Sequence, residues 1–300
     1  MNAVPPSRVI PGPGQEEPAG EATVLRMLLG AQLRRLRETA DISAEKAGYE
    51  IRASRSKISR METGRVGFKL RDIQDLLALY GVLDEQERAK VIALAKRSRK
   101  PEWWTQYNDI LPDWFETYLG LESAAVAIRS FETQFVPGLF QTEDYARAVT
   151  RLGHQAASAE EVERRVGLRV KRQELLARAR PPRVWATIDE AVLRRPVGGA
   201  QAMRAQLARL TEASRLPSVT LQVVPFARGG HAAASGSFSV LRFGERDLPD
   251  VVYMEQLTSA TYLDQRSDVE HYLEVVDQLS GEALSPADTR SFIEQAARDT

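Results

Sequence analysis

Between residues 55 and 61 the chain reads Arg55-Ser56-Lys57-Ile58-Ser59-Arg60-Met61, five hydrogen-bond donors set around two apolar side chains three positions apart. On a helix Ile58 and Met61 share a face, which leaves Arg55, Ser56, Lys57, Ser59 and Arg60 for the opposite one. That outer face suits recognition of nucleic acid. An arginine fork bridges guanine O6 and N7, serine hydroxyls meet phosphates or base edges, and a lysine offers a point charge to phosphate. No bulky apolar group stands on it to obstruct a groove.

Such a face works only if its helix projects from a body. Ser43 is placed to cap a short helix with Glu45 in its first turn, ending near Arg52. Ala53-Ser54 makes a tight turn, Ser54 caps the next helix, and Gly64 stops it after about Glu62. Two short helices at a large angle let the second enter the ~12 Å major groove. Ahead of them, Val24, Leu25, Leu28, Leu29, Leu33 and Leu36 predict an amphipathic helix with one buried stripe, its other face carrying Arg34, Arg35 and Arg37. Behind them, Ile73, Leu76, Leu77 and Tyr80 mark a helix closed by Gly81. Val91, Ile92, Leu94 and Ala95 mark another, running into Lys96–Lys100 before Pro101. The expectation for residues 21–100 is an all-α, five-helix unit built around a helix-turn-helix.

The charge follows this division. The chain is neutral overall, yet residues 21–100 carry an excess of seven positive charges and residues 101–300 an excess of six negative ones. A basic first third beside an acidic remainder suits a protein of which one part meets phosphates. Cysteine is absent, which excludes disulfides, thiolate metal sites and cysteine nucleophiles. The three histidines, His154, His231 and His271, stand singly, so no metal and no cofactor is expected. No apolar run approaches a membrane span and the N-terminus lacks a signal pattern, so the expected location is cytoplasmic, nucleoid-associated when on DNA. Residues 1–20, with five prolines and three glycines, read as a disordered tail.

Residues 101–300 change texture, beginning with Trp103, Trp104, Tyr107, Trp114, Phe115 and Tyr118. Helices are expected near 113–127, 142–151, 159–179, 199–213, 266–280 and 286–298. Strands are expected near 128–136, 183–188, 219–225, 237–243, 250–257 and 260–263. Mixed without strict alternation, they predict an α+β domain, and α+β for the chain overall.

The segment Ser54–Gly64 resembles the recognition helix of the XRE (Cro/C1-type) helix-turn-helix family, a resemblance that covers about residues 25–82 through the capping serine, Ile58, Glu62 and Gly64. The resemblance implies that Arg55, Ser56 and Arg60 face base edges, that Ser43, Ser54, Lys57 and Arg65 hold phosphates, and that Glu62 buttresses the domain. This chain departs from the family at Ala44, where Gln is common, at Ala47 and Gly48, where Leu and Ala are usual, and at Arg52, where Gly is usual. The later part resembles the domain that follows this motif in many actinobacterial regulators of the WhiJ-like or Scr1-type group. The matching words are Pro101-Glu102-Trp103-Trp104, Tyr118–Glu122, FETQFVPGLFQTEDYARA from Phe131 to Ala148, and Val251–Glu255. What that implies is a repressor or antitoxin-like regulator encoded beside a small partner protein.

The expected partners are therefore double-stranded DNA, a second copy of the chain, since one short helix reads too few base pairs to specify a site, and that small protein. A competing reading makes the C-terminal domain a sensor of a small-molecule ligand, with an apolar pocket near Phe131–Phe140 or, as the simpler reading, plain core there. No enzyme is expected. Glu116, Glu122 and Glu132 are candidate carboxylates, but the simpler reading of Glu122 is a cap or pair within its helix, and of His231, in a Gly-Gly loop, a solvated side chain. Phosphate-binding glycine motifs are absent.

Overall fold

The computed structural model describes residues 20–233, 236–245 and 248–300. The expected tail lies outside the described residues except for Gly20, whose N–H donates to the Glu102 carboxylate at 3.2 Å. Five helices follow: α1 (Glu21–Thr39), α2 (Ala44–Glu50), α3 (Arg55–Glu62), α4 (Leu70–Leu79) and α5 (Glu85–Arg97). Their starts are fixed by the expected chemistry. Ser43 and Ser54 accept from the N–H groups of Lys46 and Lys57, and Asp84 from those of Gln86 and Glu87. Gly64 and Gly81 take the left-handed conformation that ends α3 and α4, with φ of 70° and 74°. Leu29, Leu33, Ile58, Met61, Ile73, Leu77 and Val91 close around one another as the core.

The single stripe expected on α1 is divided between two cores. Leu29 and Leu33 belong to the helical core, whereas Met27, with Val24 and Leu28, packs on Tyr118 and Leu121 of the following domain. A helix of 19 residues is ~28 Å long and outruns the core of so small a unit. Gly120 makes room at the second contact, because a Cβ there would lie 2.3 Å from the Thr23 hydroxyl oxygen.

The remainder is an α+β domain on one six-stranded sheet. Its elements are α6 (Asp113–Ala124), β1 (Ala127–Glu132), α7 (Glu143–Gly153), α8 (Ala159–Gln173), β2 (Arg183–Asp189), α9 (Glu190–Arg194), α10 (Ala200–Ala213), β3 (Val219–Val224), β4 (Phe238–Arg242), β5 (Val251–Glu255), β6 (Ala260–Leu263), α11 (Arg266–Glu282) and α12 (Pro286–Asp299). The strand order is β3-β2-β1-β4-β5-β6. The first three strands are parallel, joined by helices as parallel strands require, and the last three are antiparallel. Ile128, Ala186, Ile188, Leu221 and Val223 face Leu207 and Leu210 of α10 and Ile293 of α12. Phe131, Val224, Val240 and Val252 face Val269, Val276 and Leu279 of α11. Each sheet edge accepts a hydrogen bond from outside the sheet. The N–H of Leu284 donates to Val223 O on β3, and Arg65 donates to Tyr262 O on β6.

Several elements differ from expectation, among them the helix expected over 113–127, which ends at Ala124. The strand expected over 128–136 stops at Glu132, where its partners run out: Phe131 pairs with Phe238, the first residue of β4, and beyond Ile188, the partner of Glu132, β2 has one residue more. The helix expected over 159–179 tightens after Gln173 into a 3₁₀ turn, Glu174–Ala177. The short α9, capped by Asp189, is too brief to show a period in the sequence.

Candidate nucleic-acid interface

Helix α3 is held by its apolar side and offers its polar one. Ile58 and Met61 are each 1% exposed, while Arg55, Ser56, Ser59 and Arg60, spaced as one helical face, are exposed. Two glycines set its position. A Cβ on Gly30 would stand 2.5 Å from Met61 O, so α1 runs against the end of α3 as closely as backbones allow. A Cβ on Gly48 would stand 2.7 Å from Ala53 O, which explains the departure in α2: the tight turn folds back onto that residue. Arg52, where the related motif has Gly, is in the left-handed region at φ 55°.

Each expected site residue can be placed. Ser43 and Ser54 spend their oxygens on the caps, and Ser54 lies 2.9 Å from the Ser56 hydroxyl. Arg55 approaches Glu45 at 3.2 Å, an exposed pair of small worth that a phosphate or base can displace. Arg60 has no side-chain partner among the described residues and is free to reach outward. Lys57 is half-buried and leans on α4, its Nζ 3.5 Å from Asp72. Arg65 stands apart from this face. Its Nη2 donates to Tyr262 O at 3.0 Å, its guanidinium lies over the Tyr262 ring at 5.2 Å, and Asp264 is 3.6 Å away. The expected phosphate contact is therefore turned into the domain junction, where sheet edge, ring and carboxylate all favour a cation. The residues that the sequence reading passed over are Arg52, in the α2–α3 turn, and Lys69, at the start of α4; both are exposed cations. The signal for Arg52 was present as a cation at a position expected to be glycine.

Glu62 braces the arrangement. Arg37 of α1 donates to it through Nε at 2.6 Å and Nη2 at 3.0 Å, and through Nη1 to Ile42 O at 2.8 Å. The Glu62 hydrogen bonds hold the Arg37 guanidinium above its ordinary pKa. One side chain thus joins the end of α3 to α1 and to the approach to α2.

The C-terminal candidates are structural or partly buried. Glu122 accepts two hydrogen bonds from Arg172, both at 2.8 Å, and one from the Tyr118 hydroxyl at 2.9 Å. It is paired across to α8 as well as within its own helix. Burial opposes the charge on Arg172, but Glu122 outweighs it and raises the guanidinium pKa. Glu132 is pushed up to about 7, chiefly by burial, with the Ser237 hydroxyl opposing and the charge of Glu255 adding. Burial also raises Glu116. His231 is not solvated as expected: its ring meets the edge of Phe131 at 4.9 Å, and its Nε2 is 3.7 Å from Asp189. Phe131 and Phe140 are both wholly buried, in two different cores, and Val136 and Leu139 between them are buried with the second.

Two outcomes follow. Glu62→Gln leaves shape but removes the carboxylate charge, and should lower stability by about 2–4 kcal/mol, read from urea midpoints, because Arg37, only 12% exposed, keeps just the more distant Glu38 at 3.5 Å. Glu132 ionises less readily when folded, so its contribution to stability is lost as pH rises from about 4.5 towards 7. Glu132→Gln should therefore lose less stability than the parent between pH 5 and pH 8, by about 1–3 kcal/mol, as melting at those two pH values will show.

Two family models match separate parts of the chain. A model described as a helix-turn-helix domain matches residues 28–91, and one described as a domain of unknown function (DUF5753) matches residues 115–295. No curated protein and no solved structure matches the chain. No helix among the described residues is long and apolar enough to cross a membrane. With more than half of its length matched, the chain belongs to the DUF5753 domain family and carries a helix-turn-helix domain ahead of it.

Proposed function

We propose that this protein is a sequence-specific transcriptional regulator of the XRE type that reads the major groove with α3 and takes its instruction through the C-terminal domain. The observation that supports this best is the exposed face of Arg55, Ser56, Ser59 and Arg60, presented by a helix whose other face is locked by Ile58, Met61 and Glu62. Because one such helix reads only a few base pairs, the working form is a homodimer on a two-fold related site. Its role is that of a repressor or antitoxin-like regulator of the WhiJ-like group, acting in the cytoplasm at the nucleoid. The C-terminal domain works by binding rather than catalysis, a reading supported by Glu122 being taken up by Arg172.

The input to that domain is a small partner protein on the reading from resemblance. A small-molecule ligand is the second reading, and a specific feature favours it: a cleft of about 210 Å³ lies where the C-terminal domain meets α1 and the turn after α3.

Fluorescence anisotropy with operator-derived and scrambled duplexes tests the DNA reading. Arg60→Ala and Arg55→Ala should each cost about 1–3 kcal/mol on the preferred sequence and relax one base position. Lys57→Ala should weaken all sequences alike and lower the salt slope by about 1. Unchanged base preference in both arginine variants would remove α3 as the reading element.

A further inference from the structure

The cleft at the domain junction is built around an arginine short of acceptors. Its apolar wall is formed by Met27 and Ala31 of α1, Leu121 of α6 and Val251 of β5, and Arg65 and Arg35 stand at its polar side. Arg34 is paired with Glu38 at 2.9 Å and Glu62 with Arg37 at 2.6 Å. Arg65 is held more loosely, with Asp264, also on the rim, 3.6 Å away. Of its five N–H donors, one bonds to Tyr262 O, while the carboxylate of Asp264, at 3.6 Å, is too far for a hydrogen bond. Only about a quarter of the side chain is exposed, and burial pushes its pKa down. A partly desolvated guanidinium with unused donors and an apolar wall beside it favours a carboxylate, whose two oxygens match the fork.

We propose that this cleft is the site of a small monocarboxylate, its oxygens forked on Arg65 and its apolar body laid against Met27, Leu121 and Val251. At about 210 Å³ the cleft is small, so the body is short, of the order of a six-carbon chain. Arg35, exposed at the rim, adds a second positive charge. The carboxylate takes the place that Asp264 and Tyr262 O hold only loosely. Since Arg65 follows the last residue of α3 by three positions, occupancy acts on the link between the C-terminal domain and the reading helix. That consequence rests on the proposed DNA reading; the site itself does not.

Isothermal titration of the full chain with hexanoate, hexanol and hexylammonium as probes tests the site. Hexanoate should bind with a dissociation constant of about 1 mM or tighter, and the other two at least about tenfold more weakly. Arg65→Gln should weaken hexanoate about tenfold or more, and so should Ala31→Leu, which fills the cleft while leaving the contacts of Arg65 in place. Absence of hexanoate binding, equal binding of hexanol, or undiminished binding by a folded Ala31→Leu variant would each overturn the proposal. Operator anisotropy without and with hexanoate completes the test. A chain that binds hexanoate but no DNA refutes the regulator reading and leaves the cleft standing, and a chain that binds DNA but not hexanoate does the reverse.

Discussion

The Arg37–Glu62 pair is the constraint on which the presentation of α3 depends. Its two partners are 12% and 8% exposed, so both charges have left bulk water and each largely offsets the other, with Glu38 a more distant second carboxylate 3.5 Å from Arg37. The third Arg37 hydrogen bond, to Ile42 O, brings the α1–α2 connection under the same control. With Gly30 allowing α1 to touch the carbonyls at the end of α3, the reading helix has little freedom to tilt without breaking an ion pair or driving two backbones together. A recognition surface made of long, exposed side chains needs that firmness beneath it, because each arginine already gives up rotamer freedom when it reaches a base.

The brace extends beyond the helical domain because α1 does. Its first turns lie on Tyr118 and Leu121, with Thr23 against Gly120, and its later turns hold α3. A second connection passes through Arg65 to Tyr262. The Tyr262 hydroxyl donates to Trp114 O, and its ring sits 5.3 Å from Tyr253, which stacks on Tyr118 at 4.1 Å. Tyr118 in turn donates to Glu122, the partner of Arg172. The two domains therefore share a helix, a cation and a packed aromatic seam, so a change of packing in the second has material contacts through which to reach the first. Close packing transmits such changes because side chains at an interface have few alternative arrangements.

Much of this was legible in the sequence, and the reasons are specific. The caps Ser43 and Ser54, the stop at Gly64 and the burial of Ile58 and Met61 are local, so residue type and spacing determine them. The six strands were legible because short β-rich runs stand between clear helical periods, and the α+β class followed from their irregular alternation. What was hidden depends on partners far away in the chain. Nothing within the helix distinguishes Met27, which serves one core, from Leu29, which serves another. The inward turn of Arg65 requires residues 197 and 199 positions later, and the pairing of Glu122 with Arg172 spans 50. The end of β1 was set by the strands beside it rather than by its own alternation. Gly48 carried a legible cue, a glycine where a helix former is usual, whose meaning appears only once Ala53 O is seen against it.

The most direct test of α3 as the reading element is selection of bound sequences from a random duplex library by the full chain at physiological salt. A short motif repeated with two-fold symmetry, its half-sites about 10 base pairs apart or a multiple of that, would agree with two recognition helices entering successive major grooves. Recovery of no enriched sequence from a folded protein, or of an unsymmetric motif bound by a monomer, would contradict it.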